Sequence, residues 1–211
     1  MPVLSVGDCI RFGWDTFKKR PGILIGALLL AIIIPAIPGL LFPGPEWVPG
    51  EGPPQPSAAS AIASLVGVVL GILAHLGAIT FVLRAHDNVE TVEIGDLWNP
   101  QAFWRFLGAE ILLGIIVFVG FLLLVVPGVI AALGLGFAPY LVVDRGMGPI
   151  EALKQSWQLT KGFKWSLLVL ALALIGLNLL GTLALVVGLL VTVPISWLAV
   201  THAFRTMQRA H

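Results

Sequence analysis

Residues 106–143 read FLGAEILLGIIVFVGFLLLVVPGVIAALGLGFAPYLVV, and Glu110 is the one charged residue in them. The stretch does not alternate polar with apolar, so it is not the wall of a β-barrel. Its length fits two passages through a hydrocarbon core about 30 Å thick, each needing about 20 apolar residues as helix. Val126-Pro127-Gly128 supplies the turn between them. Four further runs resemble these two, so six transmembrane helices are predicted: Gly22–Phe42, Ala58–Leu83, Phe106–Val126, Gly128–Val143, Trp165–Gly181 and Thr182–Phe204. Helices satisfy their own backbone where no water is available, which makes the class all-α.

Composition agrees. Of 211 residues, 58% are hydrophobic and 11% charged, and mean hydropathy is +0.99. A soluble fold of this size could not be covered by so few charges. Soluble enzymes, nucleic-acid binders and disordered chains are thereby excluded as good readings. Net charge is +1, so no nucleic-acid partner is expected. The lone Cys9 excludes an internal disulfide, and the four histidines lack metal-ligand spacing. Neither a metal nor a cofactor is expected, and no catalytic motif is present. The N-terminal segment is not a secretory signal, because Asp8, Arg11, Asp15 and Lys18 to Arg20 precede an apolar run that contains Pro35 and Pro38.

With the N-terminus in the cytoplasm, all twelve Lys and Arg residues, from Arg11 to Arg209, fall on the cytoplasmic side. The other side keeps Glu46 and Glu51 on the Pro/Gly-rich loop Pro43–Ser57. The positive-inside rule therefore predicts a multi-pass protein of the bacterial inner membrane with both termini cytoplasmic. Trp14, Trp98, Trp104, Trp157 and Trp165 fall near that interface and Trp47 near the other, while Trp197 lies deeper as a packing residue.

The chain reads as one integral membrane domain built from three copies of a unit, 5–84, 93–145 and 149–205. Asp8, Asp96 and Glu151 stand near the start of each, with turns expected at Pro38-Gly39, Pro127-Gly128 and Gly181. A polar segment opens each copy. In the first, Val6, Ile10, Gly13/Trp14 and Phe17 form an apolar stripe opposite Asp8, Arg11, Asp15 and Lys18. In the third, Ile150, Leu153, Trp157 and Thr160 oppose Glu151, Lys154, Gln155, Gln158 and Lys161. Both patterns predict amphipathic helices lying in the cytoplasmic interface with the apolar stripe buried. They either only orient the hairpins or sense lipid or a partner. In the middle copy Asn99-Pro100 starts or interrupts the helix.

Pro139-Tyr140-Leu141-Val142-Val143-Asp144, followed by Pro149-Ile150-Glu151-Ala152-Leu153-Lys154-Gln155-Ser156-Trp157, resembles a widespread bacterial group of six-helix membrane proteins of unknown function. The Val126-Pro127-Gly128 turn and the early Trp14…Phe17-Lys18-Lys19 fit the same pattern. That group is similar to the membrane domain fused to some glycerophosphodiester phosphodiesterases. The resemblance implies an all-helical membrane module without phosphodiesterase chemistry.

Ionisable groups inside a bilayer are functional candidates by default. His75 lies nine residues before Arg84, about 13 Å inside the cytoplasmic end, and Glu110 five residues past Arg105, about 8 Å deep. His75 continues the stripe Ala63, Gly67, Gly71, which predicts that it faces a neighbouring helix. Pro35, Pro38, Pro139 and Pro194 are expected to kink or end helices rather than line a transport site. The first functional expectation is a non-catalytic membrane protein that binds lipid, other membrane subunits or itself. The alternative is a small-solute or ion transporter or channel whose pathway passes His75 and Glu110. An enzyme acting on lipid headgroups is a weaker third reading, since no polar cluster was identifiable for it.

Overall fold

The computed structural model describes residues 4–45, 57–184 and 187–210. Glu46, Trp47 and Glu51, assigned above to the far side of the membrane, lie outside the described residues. All regular structure among the described residues is helical. The helices are α1 (Val6–Lys19), α2 (Pro21–Leu41), α3 (Ala58–Asn88), α4 (Phe103–Leu123), α5 (Val125–Leu135), α6 (Ala138–Arg145), α7 (Pro149–Leu159), α8 (Lys164–Leu183) and α9 (Leu189–Ala210). Two 3₁₀ turns, Ile94–Leu97 and Pro100–Ala102, precede α4. Six helical stretches are long and apolar enough to cross a membrane: α2, α3, Ile94–Leu123, Val125–Arg145, α8 and α9.

Local chemistry sets the ends. Ser5 and Ser57 cap α1 and α3, their hydroxyls accepting from the backbone N–H groups of Asp8 (3.3 Å) and Ser60 (3.1 Å). Pro21 and Pro149 sit in first turns, where the missing N–H costs nothing. Gly146 closes α6 at φ 64°, in the left-handed region. Pro35 and Pro38 lie within α2 and Pro194 within α9, whereas Pro139 starts α6 instead of interrupting a span.

Several boundaries differ from the sequence reading. The sixth span begins at Leu189, not Thr182, because α8 runs on through Gly181 and Thr182. Gly181 is a packing glycine: a Cβ there would come 2.5 Å from Thr192 Oγ1. The break after α4 falls at Leu124, and Pro127 sits in the first turn of α5, where proline is tolerated. The fourth span is two short helices separated at Gly136-Phe137. Ser156 of α7 holds that break, donating to the Gly134 carbonyl (2.9 Å) and accepting from the Phe137 N–H (3.3 Å).

The amphipathic helices form, and it is protein that covers their buried faces. α1 packs on α9, burying Cys9, Gly13, Thr16 and Phe17, while Trp14 is exposed. α7 packs on α4, α5 and α6, burying Ala152, Leu153, Ser156 and Leu159 and leaving Ile150 exposed. The buried face is displaced toward small residues because helix backbones approach closely there. The corresponding middle segment is the pair of 3₁₀ turns, since Pro100 prevents a continuous helix. One cluster of buried side chains centres on Leu76, Phe106, Leu141, Phe204 and Met207, and a second on Phe17, Leu24, Phe81 and Leu198.

A methyl group on Gly13 would meet the Ile195 carbonyl oxygen at 2.6 Å, and backbone cannot swing aside as a side chain does. Gly13→Ala is therefore expected to lower stability by about 1–3 kcal/mol, as overpacking does. Thermal unfolding in detergent measures it; an unchanged midpoint would mean that α1 is not seated on α9.

Candidate functional site

α3 and α4 bring together the two intramembrane candidates. His75 Nδ1 lies 3.5 Å from Glu110 Oε1. That is an ion-pair distance and not a hydrogen bond, and Glu110 Oε1 is buried without a hydrogen-bond partner. The Phe106 ring stands edge-on to the imidazole at 5.4 Å between centroids. The pair lines an open groove of about 410 Å³ whose other walls are apolar, among them Val68, Ile72 and Ile111. His75 thus lies beside a neighbouring helix, α4, which is not the helix that the small-residue stripe packs on. Gly67 packs over the Pro35 carbonyl of α2, with 3.2 Å to a notional Cβ, whereas the His75 side chain is 55% exposed toward the groove. Helical drift accounts for this: residues four apart advance by more than one turn, so the stripe rotates from α2 toward α4.

The interfacial candidates form two separate sets. On α1, Asp15 pairs with Lys18 (2.9 Å) and more distantly with Arg11 (3.9 Å), and Lys18 Nζ lies 5.8 Å from the Trp14 ring centroid. The Lys18 bond holds the Asp15 carboxyl below its ordinary range. Asp8 occupies the first turn of α1, where the helix dipole favours it. Burial, with the Asp8 carboxylate adding to it, pushes the Cys9 thiol up to about 11. On α7, Glu151, Lys154 and Trp157 are exposed, as is Lys161 just beyond it. The Trp157 ring nonetheless packs on Gly134, and Lys164 Nζ lies 3.3 Å from its centroid. No group of three or more His, Cys, Asp or Glu among the described residues could hold a metal ion.

A third constellation was not found from sequence. Arg205 of α9 donates to Asp144 of α6 and Asp87 of α3, each at 2.7 Å, and Gln208 donates to the other Asp144 oxygen at 2.9 Å. Beside it, His86 Nε2 and His202 Nδ1 lie 3.2 Å apart, and Phe12 of α1 stacks on His202 at 4.3 Å. Four helices meet there. The signal available was the placement of Asp87, Asp144 and Arg205 at three span ends on one side of the bundle. Arg20 plays a similar part between α1 and α2, donating to the carbonyls of Val89, Glu90 and Val92.

Residues 65–203 match the profile of a family described as a protein of unknown function, DUF975. An uncharacterized protein of Mycobacterium tuberculosis is 27% identical over 96% of this chain and 68% of its own length. A counterpart from Mycobacterium bovis gives the same figures. A Pectobacterium carotovorum protein named a UPF0259 membrane protein is 34% identical over 50% of this chain and 42% of its own. No solved structure matches.

Asp144 and Arg205 are largely buried, with side chains 16% and 18% exposed. Removing Asp144 leaves Arg205 only the more exposed Asp87 as a carboxylate partner, so Asp144→Ala is expected to cost about 1–3 kcal/mol. In a double-mutant cycle, Arg205→Ala added to Asp144→Ala should cost less than it does alone, the remainder being its pair with Asp87. Additive losses would show that the pair is uncoupled.

Proposed function

Because the chain belongs to the DUF975 family of unknown function, we propose its role from its own surface: a non-catalytic accessory or structural subunit of the bacterial inner membrane that binds lipid or a protein partner. The His75–Glu110 groove carries this reading. It opens on the outside of the bundle, and acyl chains offer no donor to the buried Glu110 oxygen. A lipid headgroup or a polar side chain of another subunit would supply one. Long apolar faces flank it, with Ile111, Ile115, Phe118 and Leu122 of α4 exposed. Such faces suit both lipid and helix packing.

The units 5–84, 93–145 and 149–205 are taken as copies within one membrane domain, and both termini as cytoplasmic. The likeness to a domain fused to phosphodiesterases fits a module that accompanies other proteins' activities. The 3.5 Å approach of His75 to Glu110 favours a second reading, a solute or ion pathway past that pair.

Gentle extraction followed by native mass spectrometry tests the first reading. A stoichiometric protein or retained lipid is expected, reduced in occupancy by His75→Ala with Glu110→Gln. A bare chain would overturn it, and flux in liposomes abolished by the same substitutions would establish the second. For topology, a cysteine replacing Gln158 should resist an impermeant maleimide in intact spheroplasts, while one replacing Gly44 reacts. Cys9, buried and with a raised thiol pKa, should stay silent in both.

A further inference from the structure

The charge at the α3–α4 groove has few ways to be balanced. Arg105, the nearest cation in sequence to Glu110, donates to the Gly146 carbonyl at 3.0 Å. Arg84 of α3 is paired with Asp96, and Asp87 and Asp144 share Arg205. His86 and His202 bond each other at the far end of α3 and α9. On α7, which packs on α4 through Pro149 against Gly108, Glu151 and Lys154 are exposed, as is Arg145 at the end of α6. α2 and α5 carry no charged residue. His75, at 3.5 Å, is the ionisable group that faces Glu110.

A carboxylate beside a neutral imidazole would leave one uncompensated negative charge in a groove with otherwise apolar walls. Groups so placed take up a proton rather than bear that cost. We propose that His75 and Glu110 together form a membrane-embedded proton-binding site, holding one exchangeable proton between them at neutral pH. The proton rests either on the carboxyl, beside a neutral ring, or on the ring, beside a carboxylate. Both arrangements are net neutral, and 3.5 Å permits passage between them after a small closure. Gly71 lines the groove one turn deeper than His75, and Val68 lies beyond it, so the groove continues past the pair along α3. This inference is independent of whether a partner covers the groove.

Dicyclohexylcarbodiimide, an apolar reagent that adds to protonated carboxyls, tests it on the purified full chain in detergent. At neutral pH peptide mass spectrometry should find the adduct on Glu110, formed faster as pH falls and absent from Glu110→Gln. Val68→Phe, which keeps the pair but narrows the groove that it lines, should slow labelling severalfold. His75→Ala, which leaves the carboxyl to hold the proton alone, should speed it. Nitrogen NMR of the histidines covers the other placement, in which the His75 ring is an imidazolium. An unlabelled Glu110 together with a neutral His75 ring, in protein with a wild-type thermal midpoint, overturns the proposal.

Discussion

Hydrocarbon offers no hydrogen bonds, so a polar group carried into the bilayer must bring its partner from the same chain or meet one from another. The tertiary contacts of this protein follow that constraint. Asn99 donates to Thr80, whose hydroxyl donates to Leu76, and so ties α3 to the turns before α4. Asn178 donates to Ser196 at 2.8 Å and joins α8 to α9. Ser156 and Thr160 of the α7 segment both serve the Gly134 carbonyl at the break in the fourth span. Glycine provides the close approaches these bonds need, as where Gly77 lies against the Leu97 backbone.

The two ends of the bundle are built differently. At the end that carries the cations, Arg205 and Arg20 each join elements far apart in sequence, and the Arg84–Asp96 pair ties α3 to the turn that follows it. Toward the other end the walls are apolar and open. Leu40 and Leu41 of α2, Leu122 and Leu123 of α4 and Leu179, Leu180 and Leu183 of α8 are exposed. Directional bonds fix the first end, and dispersion contacts with whatever surrounds the protein must fix the second.

The spans were legible because about 20 uninterrupted apolar residues have few other uses. Their ends were not always so. Gly181 reads as a turn, yet the helix continues through it to Leu183; its use as a contact for Thr192 depends on α9, which no local pattern reveals. Periodicity identified the two amphipathic helices but reported a face, not what covers it. The covering surfaces are α9 for one and α4 to α6 for the other. Depth along each helix placed His75 and Glu110 at modestly different levels of the same half of the membrane, and their contact required knowing that α3 and α4 are neighbours. The Arg205 cluster was out of reach for the same reason, since its partners lie 61 and 118 residues away.

The divided fourth span bears on how the chain is made. The break at Gly136-Phe137 leaves backbone groups that are completed by a hydroxyl 22 residues later in the sequence. A ribosome builds the chain from its N-terminus, so α5 and α6 are complete before Ser156 has been added. Until α7 docks, the insertion machinery or a water-filled passage must shelter the open carbonyl of Gly134. Membrane insertion of the second hairpin is thus finished only by the third, and a transcript cut short before residue 156 would yield a span that the bilayer cannot accept as native.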